Sequence, residues 1–352
     1  MQRIVAGAIL FGLLMAPPGA VASEIGLAAP LSGPYARLGE QLKTGATAAG
    51  SSVEIADDGC SADGGKGAAN ALLAAGVKIV VGFVCTEALE AALPVLSAAG
   101  VPVITPAVRA TQFADTRSRT GFLFYRLAPR ADSDATATAA ILKARWGNEI
   151  FAILDDGAPA NRTLAESFRL AMEADGPKAV LVESYRPGLE SQLGIVKRVL
   201  GADAAHVFVA GERADIAAIA ASYADNREHS AALVRPLDIA SGESLRAAPD
   251  GILLPGDVLM VAPPDWSQEG DAAALAAIRA GGAEPDGYSV SAYAAAQVAN
   301  AALAAGGDPS GALSATTFQT AVGPVTFDEK GEWRESRWEL FVSQFDKFVL
   351  DH

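Results

Sequence analysis

The chain has little sulfur, little imidazole and few positive charges. Of its 352 residues two are cysteine and three are histidine, and 27 Lys and Arg stand against 41 Asp and Glu, a formal net charge of −14. An excess of that sign repels nucleic acid and anionic membranes, so neither is expected as a partner. The histidines, at 206, 229 and 352, are scattered. With only two cysteines beside them, no metal site is expected, and no cofactor. Enzyme motifs are missing too. There is no G-x-S-x-G elbow and no H-E-x-x-H pair. The glycine-rich GCSADGGKG (59–67) has a cysteine where a phosphate loop needs its first glycine, and no Ser or Thr after its lysine. These absences argue against an enzyme.

A membrane-spanning segment is absent as well. The apolar stretch IVAGAILFGLLMA (4–16) has thirteen residues, short of the ~20 a spanning helix needs. It follows Met1-Gln2-Arg3 and precedes the helix breakers Pro17-Pro18-Gly19 and the small-x-small triplet Ala20-Val21-Ala22, the layout of a secretory signal. Residues 1–22 are therefore expected to be a signal peptide removed after Ala22. Without a cysteine at the cut, the exported chain from Ser23 is expected to carry no lipid anchor. In an oxidising compartment Cys60 and Cys85 are expected to pair, with two free thiols as the alternative. Closing that loop would restrict the unfolded chain by about 3.5 kcal/mol in the entropic model.

What the sequence does have is alternation. Strand-like runs occur at 25–31, 53–58, 78–84, 101–107, 122–128, 149–156, 179–185, 206–211, 232–239 and 257–263. Ala/Leu-rich helical stretches such as 67–76, 161–175 and 213–225 lie between them. This spacing predicts an α/β protein of two domains whose parallel sheets carry helices on both faces. Ligands of such sheets bind beyond the carboxyl ends of the strands. Residues 108–130 read as loop. After 264 the pattern turns helical (270–280, 288–305, 309–321), and strand character returns at 324–328 and 337–345. The chain is thus expected to cross between its lobes more than once.

Two strand ends carry chemistry. VVGFV (80–84) empties into Cys85-Thr86-Glu87 just before a helical pattern. Thr86 is there either to cap that helix or, with the free N–H groups of its first turn, to hold an anion. Thr105-Pro106-Ala107 closes the next strand, with Arg109 just beyond. Residues 109–130 hold five arginines and one acid. That is either a solvated loop or a local positive field, with Arg109 placed to clamp a carboxylate bidentately. Asp155-Asp156, at another strand end, reads as a solvated turn rather than a metal site.

Several segments, in order along the chain, resemble the leucine/isoleucine/valine-binding proteins. They are SGPYARLGEQLKTGA (32–46), DDGC…VVGFVCT (57–86), GVPVITPA (100–107), YAAAQVANAALAAGG (293–307) and GPVTFDEKGE (323–332). The resemblance implies a type I periplasmic binding fold, two Rossmann-like lobes with parallel sheets joined by three crossover segments. Lobe 1 would comprise 23–129 and 264–323, and lobe 2 would comprise 130–263 and 324–352. It implies a monomeric solute receptor of the periplasm that closes on its ligand by a hinge and delivers it to an ABC permease of the inner membrane. The ligand's carboxylate would meet Thr86, Ala107 and Arg109, with Cys85 tied to Cys60 so that Thr86 is held rigidly. An ammonium would meet Glu243 and a second acid. The family places that acid at Ala131 here, so Asp132 next door is the substitute. Glu212 stands where the family has an aromatic, and Ala160-Asn161 where it has Tyr-Gly. The implied ligand is an amino acid of the branched-chain or hydrophobic type. The alternatives are an aromatic or aliphatic carboxylic acid, or a ligand-sensing role for the same fold.

Overall fold

A computed structural model of the protein describes residues 23–50, 52–229, 236–246, 252–255, 258–344 and 347–351. The expected signal peptide, 1–22, lies outside the described residues, as does part of the run 232–239. The first sheet contains β1 (Ile25–Ala29), β2 (Val53–Asp57), β3 (Ile79–Gly82), β4 (Val103–Thr105) and β5 (Phe124–Arg126). Its order is β2-β1-β3-β4-β5, and every pairing is parallel. The second contains β6 (Phe151–Asp155), β7 (Leu181–Ser184), β8 (His206–Ala210), β9 (Asp238–Ser241) and β10 (Val258–Ala262), all parallel. β11 (Phe318–Thr320) and β12 (Gly323–Val325) form a separate hairpin. Finally β13 (Glu339–Gln344) and β14 (Lys347–Leu350) join the second sheet antiparallel, beside β10. The chain passes between the sheets three times, after β5, after β10 and before β13. This is the type I periplasmic binding fold.

The central strands are apolar throughout because both of their faces are covered. Along β8, Val207 and Val209 enter one hydrophobic cluster while Phe208 and Ala210 enter another. In β3, Ile79 and Val81 likewise face one cluster and Val80 the opposite one. Such strands cannot show a polar face, so they read as continuous runs. The edge strands are partly open to solvent: β7 alternates, with Val182 and Ser184 exposed, and β2 exposes Glu54, Ile55 and Asp57. Between strands, helices such as Ala62–Ala75, Thr86–Ala98 and Pro159–Glu173 pack on the sheet faces.

Two differences from expectation have plain causes. The helix expected over 309–321 stops at Ala315, and Phe318–Thr320 is strand. Pairing of Phe318 with Val325 outweighs local helix propensity there. The second return of the chain comes later than the 323/324 division expected from sequence. Val325, Phe327 and Trp333 all pack in the core of the first sheet, against residues such as Tyr125 and Val298. Among the described residues no helix is long and apolar enough to cross a membrane.

Candidate functional site

The site begins where β3 and β4 end. Gly82 and Phe83 both adopt positive φ, +121° and +61°. A Cβ at Gly82 would collide with the Ala28 carbonyl, so only glycine fits beside β1. This tight exit aims the chain into Cys85, the N-cap of the helix Thr86–Ala98, and no side chain caps that helix. Thr86 is its first residue. Its hydroxyl is half-buried and has no hydrogen-bond partner among the described residues. Capping by Thr86 is therefore not seen, and the first-turn N–H groups have no side-chain cap, although Glu87 places one carboxylate in that turn.

Thr105 clasps the two strand ends together. Its buried hydroxyl donates to the Phe83 carbonyl (3.1 Å) and accepts from the N–H groups of Ala107 (3.3 Å) and Val108 (3.0 Å). The Ala107 N–H is thus occupied. Cys60 and Cys85 are bonded, with Cα atoms 5.2 Å apart, tying the exit of β2 to the helix N-cap.

Asp58 lies beside this tie, fully buried, with one carboxyl oxygen unpartnered and the other accepting from the Cys60 N–H at 2.9 Å. Burial pushes its pKa up from 3.8 to about 6, and neighbouring Asp57 adds to the rise. An acid raised in the folded state stabilises the fold below its unfolded value. That contribution is lost as pH climbs through its folded pKa. Stability should therefore fall between about pH 4 and 6, by on the order of 2 kcal/mol for this group. Asp134, also raised to about 6, adds to the same window. Thermal melts of Asp58→Asn should show a shallower fall and a higher midpoint at pH 7.5 than the parent. Identical pH profiles would remove Asp58 from the account.

Arg109 crosses between the lobes. Its guanidinium donates to Glu243, which follows β9, at 3.2 Å, and to Asp134 in the first turn of the helix Ser133–Trp146. It also donates to the carbonyls of Pro129 (3.0 Å) and Arg130 (3.4 Å) and stacks over Trp338. Four of its five N–H donors are committed. A free bidentate clamp, expected from sequence, is therefore not what stands here: two acids from the facing lobe reach the fork first. Burial raises Asp134 most; Arg109 opposes that rise and Glu243 adds to it. Tyr288, from the first lobe, completes the group, its phenol raised by burial and then by Glu243.

The other expected residues fall as follows. Asp132 is exposed and pairs with Arg130 at 2.8 Å, so the second acid beside Arg109 is Asp134 instead. Asp132 sits one residue before the helix and points along the Arg130 side, whereas Asp134 lies within the first turn. Glu212 is exposed at the end of β8. Asp155 and Asp156 build turns, accepting from the N–H groups of Gly157 and Ala158 at 2.8 Å each. Four of the five arginines in the segment 109–130 are engaged with partners, so they form no open positive field, while Arg119 stays exposed. Arg126 is fully buried and paired bidentately with Glu332, Arg130 meets Asp115, Asp132 and Glu332, and Arg117 stacks on Tyr125. Asp134 and Tyr288 escaped the sequence reading. An acid in a first helical turn just after a crossover, and a tyrosine opening the late helix, were the available signals. Among the described residues no group of three or more His, Cys, Asp or Glu is arranged to hold a metal ion.

Two α/β lobes thus meet through Arg109, with an uncapped helix end on one side and acids on the other. The periplasmic binding protein family model matches residues 23–335. The chain belongs to that family. This binding protein is 25% identical to the Leu/Ile/Val-binding protein BraC3 of Rhizobium johnstonii, over 97% of each chain. In structure it is similar to a substrate-binding protein of an ABC transporter from Desulfitobacterium hafniense solved with leucine, with a TM-score of 0.64 and 19% identity. That match covers 93% of this chain and 99% of that one. It is also similar to a solute-binding protein of an ABC transporter from R. palustris solved with 4-hydroxybenzoate, with a TM-score of 0.62 and 19% identity. There the match covers 93% and 95%. Family members of this kind bind small solutes for ABC transporters, and the two solved neighbours differ in what they hold.

Proposed function

We propose that this periplasmic binding protein carries an α-amino acid to an ABC permease of the inner membrane, acting as an exported monomer. Thr86 and the N–H groups opening its helix would hold the carboxylate, aided by the last N–H of Arg109. Glu243 and Asp134 would hold the ammonium. The observation that carries this reading is the pairing of two acids, Asp134 and Glu243, with a single arginine. One arginine against two carboxylates leaves a negative excess. A bound zwitterion leaves that balance unchanged, and its ammonium finds a partner. A simple carboxylate would add a second negative charge to a half-buried site, at a cost that only further cations could offset. The name of the Rhizobium relative supports the same reading.

The neighbour solved with 4-hydroxybenzoate keeps a second reading in view, an aromatic or aliphatic carboxylic acid. Calorimetry separates the two. For an amino acid ligand, Glu243→Gln should weaken binding about tenfold, the loss of one charged hydrogen bond. The des-amino analogue should bind poorly to the parent. Tight binding of the des-amino acid, indifferent to Glu243→Gln, would promote the second reading.

A further inference from the structure

At the carboxyl ends of β6, β7 and β8 a buried phenol sits among four acids. Tyr185, the residue after β7, is 4% exposed, and its hydroxyl has no hydrogen-bond partner. The hydroxyl lies directly over Gly211, so closely that a Cβ there would overlap it. Burial raises the phenol well above its ordinary range, and the charges of Asp215, Asp156, Glu212 and Asp155 raise it further. It therefore stays neutral, with an oxygen free to accept.

The acids around it are unequally committed. Asp215 accepts from the Gly188 N–H at 2.7 Å, and Asp155 from Ser184 at 2.8 Å with Arg162 3.6 Å away. Asp156 accepts from the Asn161 amide at 2.8 Å, a neutral partner. Glu212 is exposed and meets no cation among the described residues. Neighbouring Arg213 is turned away, donating to the carbonyls of Leu245 and Ile252. Four carboxylates thus face one exposed arginine.

This patch adjoins the Arg109 group. β8 lies between β6 and β9 in the sheet, and Ser244, next to Glu243, donates to the Gly211 carbonyl at 2.9 Å. Resting on the amino acid reading above, we infer that Tyr185, Asp156 and Glu212 receive the far end of the ligand's side chain and that this end is cationic. The cargo is then an amino acid with a basic side chain, its terminal N–H groups donating to Glu212, Asp156 and the Tyr185 oxygen. A purely aliphatic chain would leave the Tyr185 hydroxyl without a partner and would cover the carboxylates of Asp156 and Glu212 with no cation opposite them.

Lysine and norleucine differ only in the terminal ammonium, which makes them the deciding pair for calorimetry on the mature chain. Lysine should bind at least about tenfold tighter, the usual scale for a charged hydrogen bond. Glu212→Gln should lower lysine affinity about tenfold more than norleucine affinity, and Tyr185→Phe should act in the same direction. Equal or tighter binding of norleucine, with Glu212→Gln affecting both alike, overturns the inference while leaving an amino acid receptor standing. Cadaverine, which has both cationic ends and no carboxylate, separates the other failure. If it binds as tightly as lysine and depends on Glu212, the cationic patch is upheld and the amino acid reading falls. Failure of lysine, norleucine and cadaverine alike to bind overturns both.

Discussion

Arg109→Ala should weaken ligand binding by about 2–4 kcal/mol, roughly 30- to 700-fold in affinity. The guanidinium joins a first-lobe strand end to Asp134 and Glu243 of the second lobe. Removing it leaves two half-buried carboxylates facing each other with no cation between them. The ligand's own carboxylate would then enter a field of one sign. Truncating one member of a charged group costs more than the group's net contribution, because the partners stay desolvated and unpaired. Arg109→Lys should recover only part of the loss, since an ammonium cannot reach both acids and two carbonyls from one fork. Calorimetry measures the affinities, and a thermal melt of each variant separates loss of binding from loss of fold. A fully folded Arg109→Ala protein with parental affinity would return Arg109 to a purely structural role.

Replacing both Cys60 and Cys85 with serine should lower stability by about 3–4 kcal/mol, the loop-closure contribution of a bridge of this span. The bond joins residues 25 apart in sequence, and both ends lie at strand exits. Binding should weaken as well, because Cys85 is the N-cap that precedes Thr86. Without the tie, only the Thr105 clasp and the Gly82-Phe83 turn hold that exit in place. Denaturant titration of the double variant, with ligand affinity measured alongside, tests both statements. An unchanged midpoint would mean that the unfolded chain gains little freedom from the cut. Unchanged affinity would mean that the turn and the clasp position Thr86 by themselves.

The strands were legible because burial on both faces demands runs of β-branched and aliphatic residues. The runs 25–31, 78–84 and 206–211 contain β1, β3 and β8. β11 was not legible. Its three residues are strand only because Val325 and its neighbours lie alongside. The site shows the same division. Thr86 and Arg109 could be found as groups at strand exits, and the structure places them at neighbouring ones. Asp134 could not be told from Asp132 without knowing which of them faces Arg109 and which faces Arg130.

The sequence by itself determined the alternation of strands and helices, the acidic surplus, the cysteine pair and the two strand ends that carry Thr86 and Thr105. All of these depend on residues close along the chain or on simple composition. Tertiary structure alone decided which charges cancel. Arg126 found Glu332, Arg109 found Asp134 and Glu243, and Tyr185 came to rest over Gly211, unpartnered. Hydrophobic periodicity is a local property, legible one element at a time. Electrostatic partners depend on distance through space, and that distance exists only once both lobes have folded and met.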